Sequence, residues 1–246
     1  MREAEITVAF ISDLHYSPDR NLACPDRRGE YIPALLAGTV KHLNRVVRPD
    51  LVLCGGDLIN DPAAENAERL TGILAGILGL LDMPCLVIRG NHDLPLEKFT
   101  RYFPFEPTVD AGFVRIVAFD DPELTGFTSF RTPEELDRMK RAAESWDGLL
   151  FSFQHVPLLP PGRCIYGYEN ASEAISLLKE SGYRGTLSGH HHEGMPTTEE
   201  DGLQFMVQSA MCEAPFLGTL LRIGRKGILA AESFETAELC NLPDIS

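Results

Sequence analysis

Apolar residues come in short runs that stop on a polar or charged residue, separated by longer stretches in which they recur every three or four positions. ITVAFIS (6–12) is short and β-branched, as a strand buried on both faces should be. From Tyr31 to Val47 the apolar residues Ile32, Leu35, Leu36, Val40, Leu43, Val46 and Val47 fall at near-helical spacing, and Pro49-Asp50 ends the pattern. LVLCGGD then reads as a strand, residues 63–81 as a second helix, and PCLVIRGNHD as a third strand. This βαβαβ order predicts a parallel sheet with right-handed crossovers.

The second half reads differently. GFVRIVAFD (112–120) and GLLFSFQH (148–155) are strands, with a helix from Thr132 to Ser145 between them. Thr132 is a predicted N-cap, with Glu135 completing a capping box. A short helix over 171–180 follows Asn170 as its cap, and GTLSGHHH runs from a strand into a turn. LQFMVQSA, GTLLRIG and GILAAESF read as antiparallel strands joined by glycine-containing turns. With no repeat and no linker-like segment, one domain over residues 1–246 is expected. The loops 16–31 and 156–169 are long, and long loops in compact domains are functional or mobile.

Composition narrows the choice. Hydrophobic residues make up 44% and charged residues 24%, ordinary values for a globular chain. The 36 acidic against 22 basic residues leave a net charge of -14, which opposes long nucleic acid and anionic membrane as partners. A small anion drawn in by a local metal charge is compatible with it. The six cysteines show no CxxC spacing, and Cys54 and Cys85, inside apolar runs, are expected to be buried free thiols. The opening MREAEITVAFISDLH lacks the basic region and long apolar stretch of a secretory leader, and the run 6–11 is too short to span a bilayer. A cytoplasmic location is therefore expected.

Five short pieces carry the chemistry: Asp13-Leu14-His15, Gly56-Asp57, Gly90-Asn91-His92-Asp93, His155 and Gly189-His190-His191-His192. Each follows an apolar strand-like run, and in open α/β sheets ligands bind beyond the carboxyl ends of strands. Six of the seven histidines lie in these pieces; the exception, His42, reads as a surface residue of the first helix. Carboxylate and amide oxygens mixed with imidazoles suit divalent first-row metals, and glycines allow tight turns beside them. Taken singly, Asp13 could be a strand-end cap and Asn91 a left-handed turn residue. Their company favours ligands.

The series D-x-H, G-D, G-N-H-D, H and G-H-x-H resembles the signature of the calcineurin-like metallophosphoesterases, over residues 13 to 192. The resemblance implies an α/β fold, a four-layer αββα sandwich of two mixed β-sheets flanked by helices. It also implies two divalent metal ions (Mn, Fe, Zn or similar), the first on Asp13, His15 and His192, the second on Asn91, His155 and His190, with Asp57 bridging. A metal-bridging hydroxide would attack a small phosphate ester while His92, not a ligand, acts as general acid. Asp93 either orients His92 or is structural, and His191 is the spare residue of its run. Substrate contacts are expected from Arg27, Arg28, Arg163 and Tyr166, with Arg20, Tyr31 and Tyr168 as weaker candidates in the same loops. For Met211-Cys212-Glu213-Ala214-Pro215-Phe216 the expectation is only a wall of the cleft. A small phosphodiester such as a cyclic nucleotide is the leading substrate class. A nucleotide-diphosphate-conjugate pyrophosphatase, faintly suggested by RRGEY, and a non-catalytic scaffold on the same fold are the alternatives.

Overall fold

A computed structural model describes residues 5–124 and 128–240. The start of the chain, 1–4, on which the expectation of no leader partly rests, lies outside the described residues. The elements in order are β1 (Ile6–Ile11), α1 (Ile32–His42), β2 (Leu51–Cys54), α2 (Ala67–Leu78), β3 (Cys85–Val87), α3 (Leu96–Phe99), β4 (Thr108–Ala111), β5 (Val114–Ala118), β6 (Glu123–Leu124), β7 (Thr128–Ser129) and α4 (Pro133–Ala143). They continue with β8 (Leu149–Phe153), β9 (Gly167–Tyr168), α5 (Ala171–Glu180), β10 (Gly185–Ser188), β11 (Met195–Glu200), β12 (Leu203–Val207), β13 (Leu217–Gly224) and β14 (Gly227–Glu235).

Two large sheets form, in the orders β14-β13-β1-β2-β3 and β11-β12-β10-β8-β5-β4, and a small third sheet joins β6, β7 and β9. Strands β1, β2 and β3 are parallel, as the βαβαβ pattern predicts. Period-two alternation explains the layering. Val8 and Phe10 of β1 and Leu51 and Leu53 of β2 point inward, against Ile116, Phe151 and Phe153 of the other sheet. Phe10 and Phe153 meet edge to face, with centroids 5.6 Å apart. The opposite face of the first sheet packs on α1 and α2 through Ile11 and Cys54. That of the second packs Val117, Leu150 and Phe205 on Leu136 and Met139 of α4 and Ala174 and Leu178 of α5. Both faces of the inner strands β1, β2, β8 and β10 are covered, which is why these strands read as near-continuous apolar runs. The result is the four-layer αββα sandwich.

Several local expectations change. The LQFMVQSA strand, β12, runs antiparallel to β11 but parallel to β10, because the chain reverses once between β10 and β11 and again in the β11–β12 hairpin. The first helix is α-helical to His42 and closes with a π-helical turn, Leu43–Val47. His42 is half-buried, its ring 6.3 Å from that of Phe234. The capping box on α4 is half made: Thr132 Oγ1 accepts from Glu135 N at 3.3 Å, but the Glu135 carboxylate pairs with Arg138 instead of returning to the cap. The full charge of the guanidinium outcompetes the dipole of a backbone N–H for the carboxylate there. Asn170 holds the N-cap position of α5 without a side-chain cap bond; its amide instead clamps the backbone of Arg131, accepting from N at 3.1 Å and donating to O at 2.9 Å. Cys54 is buried and Cys85 nearly so, and burial pushes the Cys85 thiol up to about 12. Among the described residues no helix is long and apolar enough to cross a membrane.

Candidate metal centre

The five strands β1, β2, β3, β8 and β10 deliver their following residues to one place between the two sheets. Asp13 (φ 55°), His15 (φ 46°), Asp57 (φ 53°) and His190 (φ 65°) all adopt the left-handed backbone that side chains disfavour. Each such residue costs on the order of 1–3 kcal/mol and persists only where its surroundings impose it. Here hydrogen bonds do so. Asp13 N donates to Gly56 O at 3.0 Å and His15 N to Asp57 O at 2.8 Å, while His190 N donates to both Asp13 carboxylate oxygens at 3.1 and 3.0 Å. A Cβ on Gly90 would collide with the Asp57 carboxylate, so glycine is required beside it.

The side chains gather around Asp57. Its Oδ2 lies 3.4 Å from His15 Nε2 and 3.3 Å from His155 Nε2. Beyond His15 stands His192, with the two Nε2 atoms 3.1 Å apart and Asp13 Oδ1 3.6 Å from His192 Nε2. Beyond His155 stands His190, whose Nδ1 is 3.1 Å from His155 Nε2. Hydrogen bonds to acceptors that cannot donate assign the ring protons. His155 Nδ1 must donate to Gly55 O at 2.7 Å, and His192 Nδ1 to the Glu213 carboxylate at 2.5 Å. Their Nε2 atoms then face a neighbouring imidazole and a carboxylate.

Electrostatics point the same way. Burial keeps His15 and His190 neutral, lowering His190 to about 3, and neutral imidazole is the ligand form. Burial opposes charge on His155 too, yet Asp57 and Asp13 outweigh it and raise its pKa to about 10. Burial likewise opposes charge on Asp57, but His155 and His15 hold its carboxyl well below the ordinary value. The carboxylates thus favour a cation at His155 Nε2, where a proton and a metal ion compete.

The residues fit metal ions by a second criterion. Asn91 Oδ1 is buried without a hydrogen-bond partner among the described residues, and buried polar atoms are seldom left so. The sets His15–Asp57–His92, Asp57–His155–His190 and His15–His192–Cys212 each place potential donor atoms within 4.8 Å of one another. Oxygen and imidazole donors in this mixture suit divalent first-row ions.

The family model for calcineurin-like phosphoesterases matches residues 6–194. The chain belongs to that family. A probable cyclic nucleotide phosphodiesterase of Synechococcus is 28% identical over 196 residues, 76% of this chain and 74% of that protein. A protein of the same description from Rhodococcus erythropolis is 23% identical over 176 residues, 67% of this chain and 58% of that protein. Among solved structures, a dimetal phosphatase from Danio rerio shares the fold with a TM-score of 0.71 at 16% identity, over 94% of this chain and 99% of that one. This calcineurin-like phosphoesterase is thus a metal-dependent phosphoester hydrolase.

Around the calcineurin-like centre, His92 is half-exposed, edge-on to His15 at 4.7 Å between centroids. Its Nδ1 lies 2.7 Å from Asn60 O, and its backbone N donates to Asp57 Oδ1 at 2.8 Å. Asp93 does not touch His92. Its Oδ1 accepts from Leu58 N and Ile59 N at 2.8 and 3.3 Å, and its Oδ2 from Gly90 N at 2.9 Å, so it braces the two loops. Burial and Asp57 raise its pKa to about 7.

The structure separates the substrate candidates. Tyr166 stands at the centre, its ring 4.5 Å from that of His190 and 5.7 Å from that of His191. The Arg27 charge is felt at His15, His192 and Glu213. Arg28 is taken up by Glu30 and Tyr31, and Arg163 by Glu200 at the exposed edge of β11. Tyr168 is buried and donates to Asp121 at 2.8 Å. Residues that sequence reasoning missed are Asn60 and Gly55, which act through backbone carbonyls and leave no sequence signal. Glu213 was missed as well, and only its place after a strand hinted at a site.

Proposed function

We propose that the chain hydrolyses small phosphodiesters, cyclic nucleotides foremost, at a two-metal centre. Asp13, His15 and His192 hold the first ion, Asn91, His155 and His190 the second, and Asp57 lies between. The observation that carries this reading is the Asp57 oxygen poised 3.4 and 3.3 Å from histidines of the two sets. Two bound divalent ions supply Lewis acidity toward the phosphoryl oxygens and activation of water.

The remaining chemistry belongs to the chain. His92 keeps its Nδ1 proton on Asn60 O, which fixes the ring and leaves Nε2 as the nitrogen that passes a proton to the departing oxygen. The acidic rim supports a diester. Asp120, Asp121 and Glu123 line a small cavity with Asn91 and His155. Asp120 is paired with Arg89 and Asp121 with Arg131. The Glu123 carboxylate repels a dianionic monoester more than a monoanionic diester. The names of the two curated relatives point to the same class.

The test is hydrolysis of bis-p-nitrophenyl phosphate, p-nitrophenyl phosphate and cyclic AMP by Mn²⁺-loaded protein beside a chelated control. Metal-dependent cleavage of the diesters above the monoester is expected. Preference for the monoester would replace the reading with a phosphatase. No turnover of any of the three, with two ions bound, would point to a narrow pyrophosphatase or a scaffold.

A further inference from the structure

We infer that Glu213 is a positioning residue for the first metal position, acting through His192; this rests on the ligand assignment proposed above. The two nitrogens of His192 face different partners. Nε2 looks toward His15 Nε2 at 3.1 Å and Asp13 Oδ1 at 3.6 Å, and Nδ1 toward Glu213 Oε1 at 2.5 Å. A carboxylate can only accept, so the proton sits on Nδ1 and the Nε2 lone pair is aimed at the metal position. The opposite tautomer would point an N–H there instead, and a flipped ring a C–H. A carboxylate behind a ligating imidazole both selects the tautomer and raises ligand basicity.

The four candidate histidine ligands are not backed alike. His155 is held by a neutral carbonyl, that of Gly55. His15 Nδ1 and His190 Nε2 have no hydrogen-bond partner among the described residues. His192 is backed by a carboxylate, and it is the more solvent-reached ring, its side chain 16% exposed against 0% for His15 and 6% for His155. Solvent competition at an open ring is what a charged anchor offsets.

Glu213 is placed to do this by backbone bonds to the ligand segments themselves. Ala210 N donates to His192 O at 2.9 Å, Met211 N to Ser12 O at 2.9 Å and Cys212 N to Asp13 O at 3.2 Å. Arg28 N in turn donates to Cys212 O at 2.8 Å, tying the long loop after β1 to the same segment. The loop between β12 and β13 is therefore registered against both strand ends that supply the first position. Its glutamate arrives beside His192 as a consequence.

The test is titration of the metal-free full-length protein with Mn²⁺, followed by the free-ion EPR signal and by calorimetry. The parent is expected to bind two ions. Glu213→Ala should weaken one of them about 10–100-fold and leave the other unchanged, with Glu213→Gln falling between. In the His192→Ala background, Glu213→Ala should add nothing, because a residue that acts through His192 has nothing left to act on. Unchanged affinities in Glu213→Ala, equal losses at both positions, or a further loss in the His192→Ala background would each overturn the inference. Should Glu213→Ala fail to fold, the near-isosteric Gln variant carries the same comparison. These titrations read metal and not substrate, so a wrong substrate class leaves them untouched. A wrong ligand assignment would show separately, as parent-like binding of both ions by His192→Ala.

Discussion

The two halves of the centre are built from similar imidazoles but differ in charge. In the proposed assignment the first position draws Asp13 and His15 from the end of β1 and His192 from beyond β10, with Glu213 behind His192. The second draws the neutral Asn91 from beyond β3, His155 from beyond β8 and His190, and the group behind His155 is the neutral Gly55 carbonyl. Asp57 lies 3.4 Å from His15 of the one and 3.3 Å from His155 of the other, and is proposed to serve both. One half therefore has an extra carboxylate and a charged anchor, and the other rests on dipoles. The difference teaches that two sites with the same number of donors can differ in cation affinity through their surroundings; the first position is expected to hold its ion more tightly.

Removing what the halves share should have the largest effect. Asp57→Ala is expected to lose both ions and to lower turnover by about three orders of magnitude or more, since several kcal/mol of charge stabilisation go with them. Metal content by mass spectrometry beside kcat checks this, and retention of one tightly bound ion would show that Asp57 belongs to one half only. His92→Ala touches neither half and should keep both ions while turnover falls about 10²–10⁴-fold, most for alkyl leaving groups. Parent-like rates on an alkyl ester would remove His92 from the proton-transfer role.

A third change bears on the neutral half alone. Arg131 is fully buried, with Asp121 as its carboxylate partner, Ser152 and Gln154 accepting from it at 3.0 and 3.1 Å, and Phe119 under its guanidinium. Gln154 is the residue before His155. Asp121→Ala strands that charge and is expected to cost about 3–5 kcal/mol in urea denaturation. It should also weaken the second ion more than the first. Equal weakening of both would mean that Arg131 supports the sandwich in general.

The smallest effect is a matter of protons. The pKa of His155 is raised from 6.5 to about 10, so near neutral pH a metal entering the second position must displace its proton. Calorimetry in buffers of different ionisation enthalpy should show that release, and affinity there should rise with pH toward about 10. The sign for the metal-free fold is opposite. A raised histidine pKa contributes stability that is complete below 6.5 and is lost as the pH climbs through about 10. Absence of proton release would place the proton elsewhere in the centre.

The charged half was the less legible of the two in its anchor and the more legible in its ligands. Asp13, His15 and Asp57 announce themselves because each ends an apolar run, and a strand that ends on a carboxylate or imidazole leaves it at the sheet rim. His190 and His192 do the same within a Gly-led turn. The inner strands were legible for a related reason: both of their faces are buried, so apolar runs mark them clearly. What did not show was pairing across distance. Glu213 meets His192 from 21 residues away, Asn60 meets His92 from 32, and Gly55 meets His155 from 100. Asn170 looked like a helix cap, but its side chain instead clamps Arg131, because a buried arginine backbone offered it both a donor and an acceptor.

The sequence by itself determined the donor types, their order along the chain and the strand ends that present them, since hydrophobic periodicity and covalent spacing are local properties. Only the tertiary structure decided which nitrogen of each histidine faces the metal positions and which carbonyl or carboxylate lies behind it. It also decided that Arg28 and Arg163 are taken up by carboxylates of the chain. The histidine contacts are distances between segments far apart in the chain, set by how two sheets pack, and no local pattern encodes them.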